Sequence, residues 1–275
     1  MICARAQDPV CKPYAPCYTS VSIVNAASGV PELAPNTLAS IYGQNLSYVT
    51  RAITSADIAA GVLPRSLEGS GVQVIVGGFY GHLYFVSPGQ VNFLVPPNLL
   101  PGEVTIQLIR EGTAGPAVRV RLKEAAPALF QLDGRTALAS HHPDYSLVSD
   151  EAPARPGSWV LLWATGLGAV TPPAVYGEIP MRAAYLENLE NFHVLLNGTP
   201  VPRENIGYAG LAPTWSGLYQ INLKIPDLAG PDPEIRIIAG ESASPAGLRL
   251  PALPWWVISS NRPNSSYVQL FVGYN

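Results

Sequence analysis

The chain has 275 residues and a net charge of −3, and only 13% of its residues are charged, well below the roughly 25% typical of soluble domains. Its 16 lysines and arginines are scattered, which argues against nucleic-acid binding because that needs a basic patch. No apolar run approaches the 18 residues of a membrane span. The length allows one large or two ordinary domains.

The first residues carry features of an export signal. Ala4 and Ala6 form the A-x-A arrangement of a signal-peptidase site, but the charged and apolar regions that precede such a site are missing. Either the signal was shortened by a wrongly assigned start codon, or the two alanines are a chance pair. Cleavage after Ala6 would remove Cys3 and leave Cys11 and Cys17. We predict that these two form a disulfide, and that the protein is extracellular or on the cell surface.

Most of the chain alternates apolar and polar residues with a period of two. Such runs of five to eight residues, bounded by Gly, Pro and Asn, predict an antiparallel β-sandwich. Gly77-Gly78 and Asn197-Gly198 each separate two runs and predict tight hairpins with positive φ. Only residues 54–62 and 181–191 could hold a turn or two of helix. The clearest alternating runs begin at Val72, Val91, Val104, Val118, Trp159, Leu218 and Ile235.

An internal repeat indicates that one unit was duplicated. The heptad Gln90-Val-Asn-Phe-Leu-Val-Pro96 returns 130 residues later as Gln220-Ile-Asn-Leu-Lys-Ile-Pro226. Gly43-Gln-Asn-Leu46 matches Ala164-Thr-Gly-Leu167 at an offset of 121. Offsets that differ by only a few residues predict two tandem immunoglobulin-like domains with small insertions in their loops.

The repeats divide the chain into four predicted parts. Residues 1–19 form an N-terminal arm, 20–130 the first β-sandwich, 131–253 the second, and 254–275 a strand-like tail. Residues 124–130 join the sandwiches, and Pro127 together with the shortness of this joint predicts little swivelling.

Several motifs in this order resemble those of the family known as the Solibacter uncharacterised C-terminal domain, found in exported proteins of soil acidobacteria. The resemblance covers about residues 20–253 and implies tandem immunoglobulin-like domains of the IPT/TIG sort in an exported protein. It implies no activity, because the family has no established catalytic residues. The motifs include Val24-Asn-Ala-Ala-Ser28, Tyr84-Phe-Val-Ser-Pro-Gly-Gln-Val-Asn-Phe93, Trp163-Ala-Thr-Gly-Leu-Gly168 and Tyr208-Ala-Gly-Leu-Ala-Pro213.

One dense polar cluster is a candidate metal site. His141, His142 and Asp144, with Asp133 and Asp150 nearby, could ligate a metal ion. The favoured interpretation is a solvated loop, because adjacent histidines in an extended chain point in opposite directions. With no hydrolase motif in the chain, we expect no catalysis, no cofactor and no metal. The remaining histidines, expected at the surface or on edge strands, are His82 and His193.

The repeated heptad carries a pair of polar residues in each copy. Gln90 and Asn92 share one face of their strand, as do Gln220 and Asn222. They could line a binding face. Their presence in both repeats favours a structural role, such as bonding to backbone groups of a neighbouring loop.

The five tryptophans divide into two groups. Trp159 and Trp163 share strand parity and are expected in the core. Trp215 lies in a predicted loop, and Trp255 and Trp256 follow the second repeat. These last three are candidates for stacking on a sugar ring.

The tail ends in a further alternating run, whose apolar residues must pair with something, since an exposed apolar strand is an aggregation hazard. It could fold back on its own domain, or add to the sheet of another copy. We therefore expect a structural or adhesive protein that assembles with itself into a filament or surface layer. The alternative is a carbohydrate-binding module for surface glycans. The candidate assembly residues are Tyr267, Val268, Leu270, Phe271, Val272 and Tyr274.

Overall fold

The alternating runs form β-strands in the computed structural model of the chain, which describes residues 11–227 and 230–256. Val72, Val74 and Val76 are fully buried, and the two residues between them are half-buried. The strands of the first half are β1 Ile23–Asn25, β2 Leu38–Tyr42, β3 Arg51–Ala52, β4 Val72–Val76, β5 Phe79–Tyr80, β6 His82–Val86, β7 Gln90–Leu94, β8 Gly102–Arg110, β9 Thr113–Ala114 and β10 Val118–Leu122.

The second half repeats the pattern. Its strands are β11 Ala128–Leu129, β12 Ala139–His141, β13 Trp159–Thr165, β14 Val170–Thr171, β15 Ala184–Leu186, β16 Phe192–Leu196, β17 Thr199–Pro200, β18 Ile206–Leu211, β19 Tyr219–Lys224, β20 Ile235–Ala239 and β21 Ser242–Ala243. Short 3₁₀ turns lie at Ser20–Ser22, Ser55–Asp57, Leu189–Asn191 and Arg203–Asn205.

The strand order within the sheets identifies the fold. In the first half, one sheet runs β1-β2-β7-β6-β3 and the other β10-β8-β4-β5. With the strands of three or more residues lettered A to G in chain order, these are the A-B-E-D and G-F-C sheets of an immunoglobulin domain, each extended by a two-residue strand. In the second half, β12-β13-β19-β18 and β20-β16 take the same places, A-B-E-D and F-C. The prediction of an all-β protein with immunoglobulin-like antiparallel sandwiches is confirmed.

The repeated heptads lie on equivalent strands, as the duplication predicts. Gln90–Leu94 forms β7 and residues 220–224 belong to β19, and each strand lies between the B and D strands of its sheet. The predicted hairpins are also confirmed, since Gly77, Gly78, Asn197 and Gly198 all have positive φ. The two segments that could hold helix contain one 3₁₀ turn each.

Each half has its own hydrophobic cluster. Tyr18, from the predicted arm, packs in the core of the first sandwich. Ala125 and Leu129, which the repeat boundaries place in the first sandwich, pack in the core of the second. The division of the chain at residues 130 and 253 stays a prediction.

Two predictions about side-chain burial are wrong. Trp159 and Trp163 are only half-buried, because their neighbours Val160 and Leu162 take the inward positions of β13. His82 was expected at the surface but is 1% exposed. A bulge between Leu83 and Phe85 interrupts the alternation of β6, so its strand parity does not predict its burial.

Three regions position the candidate sites. The N-terminal pole consists of residues 11–19 and 43–49, at the outer end of the first sandwich. The seam lies between the sandwiches, where Leu38 of β2 meets Thr165 of β13. The C-terminal pole, at the start of β13, consists of residues 154–158 and 251–256, where Leu253 N donates to Ala154 O. The chain therefore begins and leaves the described structure at opposite ends.

Candidate functional site

The linker between the sandwiches is held from both sides. Ala126 N donates to Gly166 O at 2.8 Å, and Asn25 Nδ2 donates to Ala126 O at 2.9 Å. Beside it, Leu38 N donates to Thr165 Oγ1 at 2.9 Å. Ala126 of the linker thus bonds the Asn25 side chain of the first sandwich and the Gly166 backbone of the second, and Leu38 bonds the second sandwich directly. This agrees with the predicted semi-rigid joint.

A buried tyrosine completes this side of the seam. Tyr219 is fully buried, and its hydroxyl donates to Gly168 O at 2.5 Å while accepting from Asn36 Nδ2 at 3.1 Å. Burial raises the pKa of this hydroxyl, so it stays protonated and able to donate. Asn36 belongs to the first sandwich, so one hydroxyl bonds both halves.

A second contact lies farther along the seam. Leu63 N donates to Gly177 O at 2.8 Å, and Ile179 N donates to Gly61 O at 2.8 Å. Tyr84 Oη donates to Ser216 O at 2.7 Å. Because the halves meet through two separate sets of backbone bonds, hinge motion between them must break several at once.

His82 lies inside this second contact. Its Nδ1 is 2.5 Å from Leu63 O, and its ring packs edge-on against Tyr176 with centroids 4.6 Å apart. Its Nε2 has no hydrogen-bond partner among the described residues and faces Gly177. Burial lowers the pKa of the imidazole, and the positive charge of Arg65 lowers it further, against the opposing bond to Leu63.

The stability of the protein is expected to fall as the pH drops below about 6.5. The unfolded chain takes up a proton on His82 near that pH, whereas the folded chain keeps the ring neutral, so the unfolded state binds more protons. Urea unfolding midpoints measured from about pH 7.5 down to about pH 5 test this. His82→Gln should reduce the pH dependence, and the exposed His193→Gln should not. Equal pH dependence in the His82→Gln variant would contradict the assignment.

The N-terminal arm packs on its own sandwich. The predicted disulfide between Cys11 and Cys17 is present, and Cys17 exchanges two backbone hydrogen bonds with Gln44, each of 2.9 Å. Tyr18 Oη donates to Pro116 O at 2.7 Å and accepts from Leu108 N at 2.6 Å. Burial raises the pKa of this hydroxyl to about 12.

A buried arginine supports the same pole. Arg110 is 3% exposed, and its guanidinium donates to Tyr14 O at 2.6 Å and to Asn45 O. Its Cζ lies 3.9 Å from the centre of the Tyr48 ring, a cation–π contact. Arg110 therefore joins the arm to the loop that follows β2.

The exposed tryptophans lie at different places. Trp215 is on a loop at the seam, beside Ser216, and is 54% exposed. Trp255 and Trp256 are at the C-terminal pole and are each 52% exposed. The structure therefore does not bring the three candidate sugar-stacking residues together. The candidate assembly strand, residues 267–274, lies outside the described residues.

The polar loop around His141 is bonded internally. His141 Nε2 lies 2.9 Å from Ala152 O, and Asp150 pairs with Arg249 at 2.6 Å. Asp144 accepts from the backbone N–H of Ser146, which holds the pKa of that carboxyl below its usual value. Within residues 11–227 and 230–256, no three His, Cys, Asp or Glu residues form a group that could hold a metal ion.

Within each repeated polar pair, the glutamine bonds the asparagine. The expected partner, the backbone of a neighbouring loop, is therefore corrected. Gln90 Nε2 donates to Asn92 Oδ1 at 2.8 Å, and Gln220 Nε2 donates to Asn222 Oδ1 at 2.6 Å. In the first sandwich Ser40 Oγ also donates to Asn92. Each pair thus links positions along one strand of its sheet.

The roles of Arg110 and Tyr48 and the burial of His82 were not predicted from the sequence. The position of Arg110 could have been noticed in the sequence. It follows Ile106 and Leu108 at alternate positions of β8, so it is a charged residue on the face that points into the core. The environment of His82 depends on contacts between the two halves, which the local pattern does not encode.

No family model matches the chain, and no curated protein sequence matches it. In the described residues, no helix is long and apolar enough to cross a membrane. Among solved structures, the chain is similar to the SGBP-B protein of a Bacteroides ovatus mixed-linkage glucan utilization locus, in complex with a heptasaccharide. The identity is 14% and the TM-score 0.31, over 81% of this chain and 43% of that one.

It is also similar to SGBP-B from a Bacteroides uniformis xyloglucan utilization locus, with 10% identity, a TM-score of 0.27, and coverage of 87% and 49%. The chain thus spans less than half the length of these two proteins. A third similar structure is domains 5–6 of the S-layer protein SbsC, with 9% identity, a TM-score of 0.27, and coverage of 87% and 99%. With all three TM-scores below 0.5, the assignment of the fold rests on the strand order of this chain.

Proposed function

We propose that this is an exported, non-catalytic surface protein with a structural or adhesive role, whose copies join through their terminal segments. The observation that carries the proposal is the placement of the two poles. The seam holds both sandwiches together, and the described chain begins at one end of the pair and leaves at the other. A contact between unlike ends builds a ring where its rotation closes and an open filament where it does not, and we propose the filament.

The disulfide and the surface composition support the same proposal. Disulfides persist in oxidising compartments outside the cytosol. This one closes a loop within the arm, and Cys17 also bonds the backbone of Gln44. Lysine, which commonly blunts exposed sheet edges, occurs only at positions 12, 123 and 224. With only three lysines, the chain makes little use of this residue at its sheet edges, although the edge strand β10 carries Arg119 and Arg121.

Sedimentation of the full-length protein over a range of concentrations tests the proposal. We expect species larger than a monomer at high concentration, and a monomer when residues 257–275 are deleted. The deletion leaves every described residue in place, so a circular dichroism spectrum of β-sheet form would show that the sandwiches still fold. A full-length chain that remains monomeric at all concentrations would refute the proposal.

A second candidate function is glycan binding, favoured by the half-exposed ring of Trp215 at the seam. An exposed aromatic face of this kind stacks on the apolar C–H groups of a sugar ring. Screening the protein against a glycan array, with Trp215→Ala as the paired variant, tests this candidate. Binding that is lost in that variant and kept in Trp255→Ala would support it, and the absence of any bound glycan would contradict it.

A further inference from the structure

The outer face of the A-B-E-D sheet in the second sandwich is rich in aromatic residues. Val160 and Leu162 of β13 point into the core, so Trp159 and Trp163 lie on the opposite face. The polar pair of β19 lies beside them, and β18 and β15 each add a tyrosine. We call this surface the aromatic face, and its residues are Trp159, Trp163, Tyr185, Tyr208, Gln220 and Asn222.

The indole of Trp159 extends along the surface of the sheet. Trp159 is on β13, and a Cβ added at Gly207, on β18, would lie 2.9 Å from the Cζ3 and 3.0 Å from the Cη2 of its ring. Because β19 lies between these two strands, the ring must pass over β19 to reach β18. It can do so since Gly207 has no side chain.

The neighbouring rings are held in place by hydrogen bonds. Tyr208 Oη donates to Leu211 O at 2.6 Å, and Trp163 Nε1 donates to Ser140 Oγ at 3.2 Å. The ring of Tyr185 packs against that of Tyr208, with their centroids 5.0 Å apart. The aromatic face is therefore largely ordered before a ligand arrives, which lowers the entropic cost of binding.

The polar pair on this face has unused hydrogen-bonding capacity. Gln220 Nε2 donates to Asn222 Oδ1 at 2.6 Å. Gln220 Oε1 and Asn222 Nδ2 have no hydrogen-bond partner among the described residues, and neither is one of the fully buried atoms that lack a partner. An acceptor and a donor thus lie close together between aromatic rings, which suits the hydroxyl groups of a sugar because a hydroxyl both donates and accepts.

The aromatic face carries almost no charge. Lys224, at the end of β19, is the only lysine, arginine, aspartate or glutamate on the five strands β12, β13, β15, β18 and β19. A nucleic acid or another polyanion would need several basic residues here. The composition of the face therefore favours an uncharged ligand that has both hydroxyl groups and apolar C–H groups.

The equivalent face of the first sandwich has no tryptophan. Leu38 and Tyr42 of β2 occupy the positions that Trp159 and Trp163 occupy on β13. The glutamine–asparagine pair is common to both copies, which a structural role explains. The two tryptophans are found in one copy only, so the fold itself does not require them.

We propose that the aromatic face binds a neutral polysaccharide. The rings of Trp159, Trp163 and Tyr208 stack on the apolar C–H groups of its sugar units, and Gln220 Oε1 and Asn222 Nδ2 bond their hydroxyl groups. The five strands from β12 to β15 are adjacent, so the face is about 19 Å wide at the usual strand spacing. This site lies on strands, it is separate from the loop residue Trp215, and it does not depend on self-association.

Titration calorimetry of the full-length protein against a panel of neutral hexasaccharides, built from glucose, xylose or mannose, tests the site. We expect Trp159→Ala to weaken binding about tenfold, through the loss of one stacked ring. Gln220→Ala should weaken it about threefold, through the loss of one hydrogen bond. Gln90→Ala, the counterpart of Gln220 on the first sandwich, is the matched control and should leave the affinity unchanged.

Gly207→Ala tests the placement of the indole without removing it. Gly207 does not have a positive φ, so alanine fits its backbone, but the added Cβ displaces the ring of Trp159. We expect this variant to keep a circular dichroism spectrum of β-sheet form and to bind more weakly than the natural chain. Unchanged affinity in both Gly207→Ala and Trp159→Ala would overturn the site.

The remaining outcomes separate this site from the other proposals. Binding that is lost in Trp215→Ala and kept in Trp159→Ala would place the glycan at the loop and overturn the aromatic face. If no hexasaccharide binds and Trp159→Ala reduces the association of copies, the face is an interface between copies. A natural chain that binds none of the sugars overturns the site, whereas the proposed self-association is tested separately by sedimentation.

Discussion

Arg110→Ala is expected to lower the free energy of unfolding by about 2–4 kcal/mol. The change removes both donors to the carbonyls of Tyr14 and Asn45 and leaves a cavity beside the Tyr48 ring. Because Arg110 joins the arm to the loop that follows β2, the arm should also become more accessible. Urea unfolding measures the loss of stability, and limited proteolysis of residues 11–19 measures the exposure of the arm.

Arg121→Ala is the matched control for this prediction. Arg121 is exposed on the edge strand β10, so its loss should change the free energy of unfolding by no more than about 0.5 kcal/mol. Equal effects of the two substitutions would mean that Arg110 does not hold the pole together.

Gly166→Ala should lower the free energy of unfolding by more than the cost of placing alanine at a positive φ, because the added Cβ also clashes with the linker. Gly166 has φ +75°, and a Cβ there would lie 2.2 Å from Ala126 O, a backbone atom that cannot move without breaking the linker contact. Gly198 has φ +76° with nothing within 4 Å of the same position. Gly198→Ala thus carries only the left-handed strain of about 1–2 kcal/mol, whereas Gly166→Ala should cost at least about 2 kcal/mol more.

The comparison of these two glycines measures how firmly the sandwiches are joined. Chemical denaturation of both variants gives the difference directly, since the backbone term cancels. A Gly166→Ala protein as stable as Gly198→Ala would show that the linker yields readily, and the two sandwiches would then swivel instead of forming one rigid pair.

The repeat predicted most of the fold because it shows which strand of one half corresponds to which strand of the other, and not only where strands occur. Once Gln90–Pro96 and Gln220–Pro226 are equivalent, every neighbouring strand of one half has a counterpart in the other, and the structure places both heptads on E strands. The hairpins at Gly77 and Asn197 were predictable because positive φ strongly selects residue type.

Burial was harder to predict where both faces of a strand carry apolar residues. In β13, Trp159 and Trp163 alternate with Val160 and Leu162, so periodicity alone cannot decide which face is inward. In β6 the bulge after Leu83 breaks the alternation that placed His82 at an edge. Local pattern gives the strands, and the packing of one sheet on another selects the buried face.

The candidate sites depended still more on contacts distant in sequence. The disulfide was predictable from two nearby cysteines in a chain with an export-like start. The seam was not, because Tyr219, Asn36 and Gly168 meet only after both sandwiches have folded. The exposed residues Trp215, Trp255 and Trp256 could be selected from sequence, but only the fold separates Trp215 at the seam from the pair at the C-terminal pole.

Electron microscopy of the full-length protein at high concentration tests the central claim most directly. Head-to-tail joining of opposite poles predicts unbranched strings in which the axial repeat equals the length of one pair of sandwiches. The same preparation with residues 257–275 deleted should show single pairs. Closed two-fold dimers, or single pairs in the full-length sample, would contradict the account.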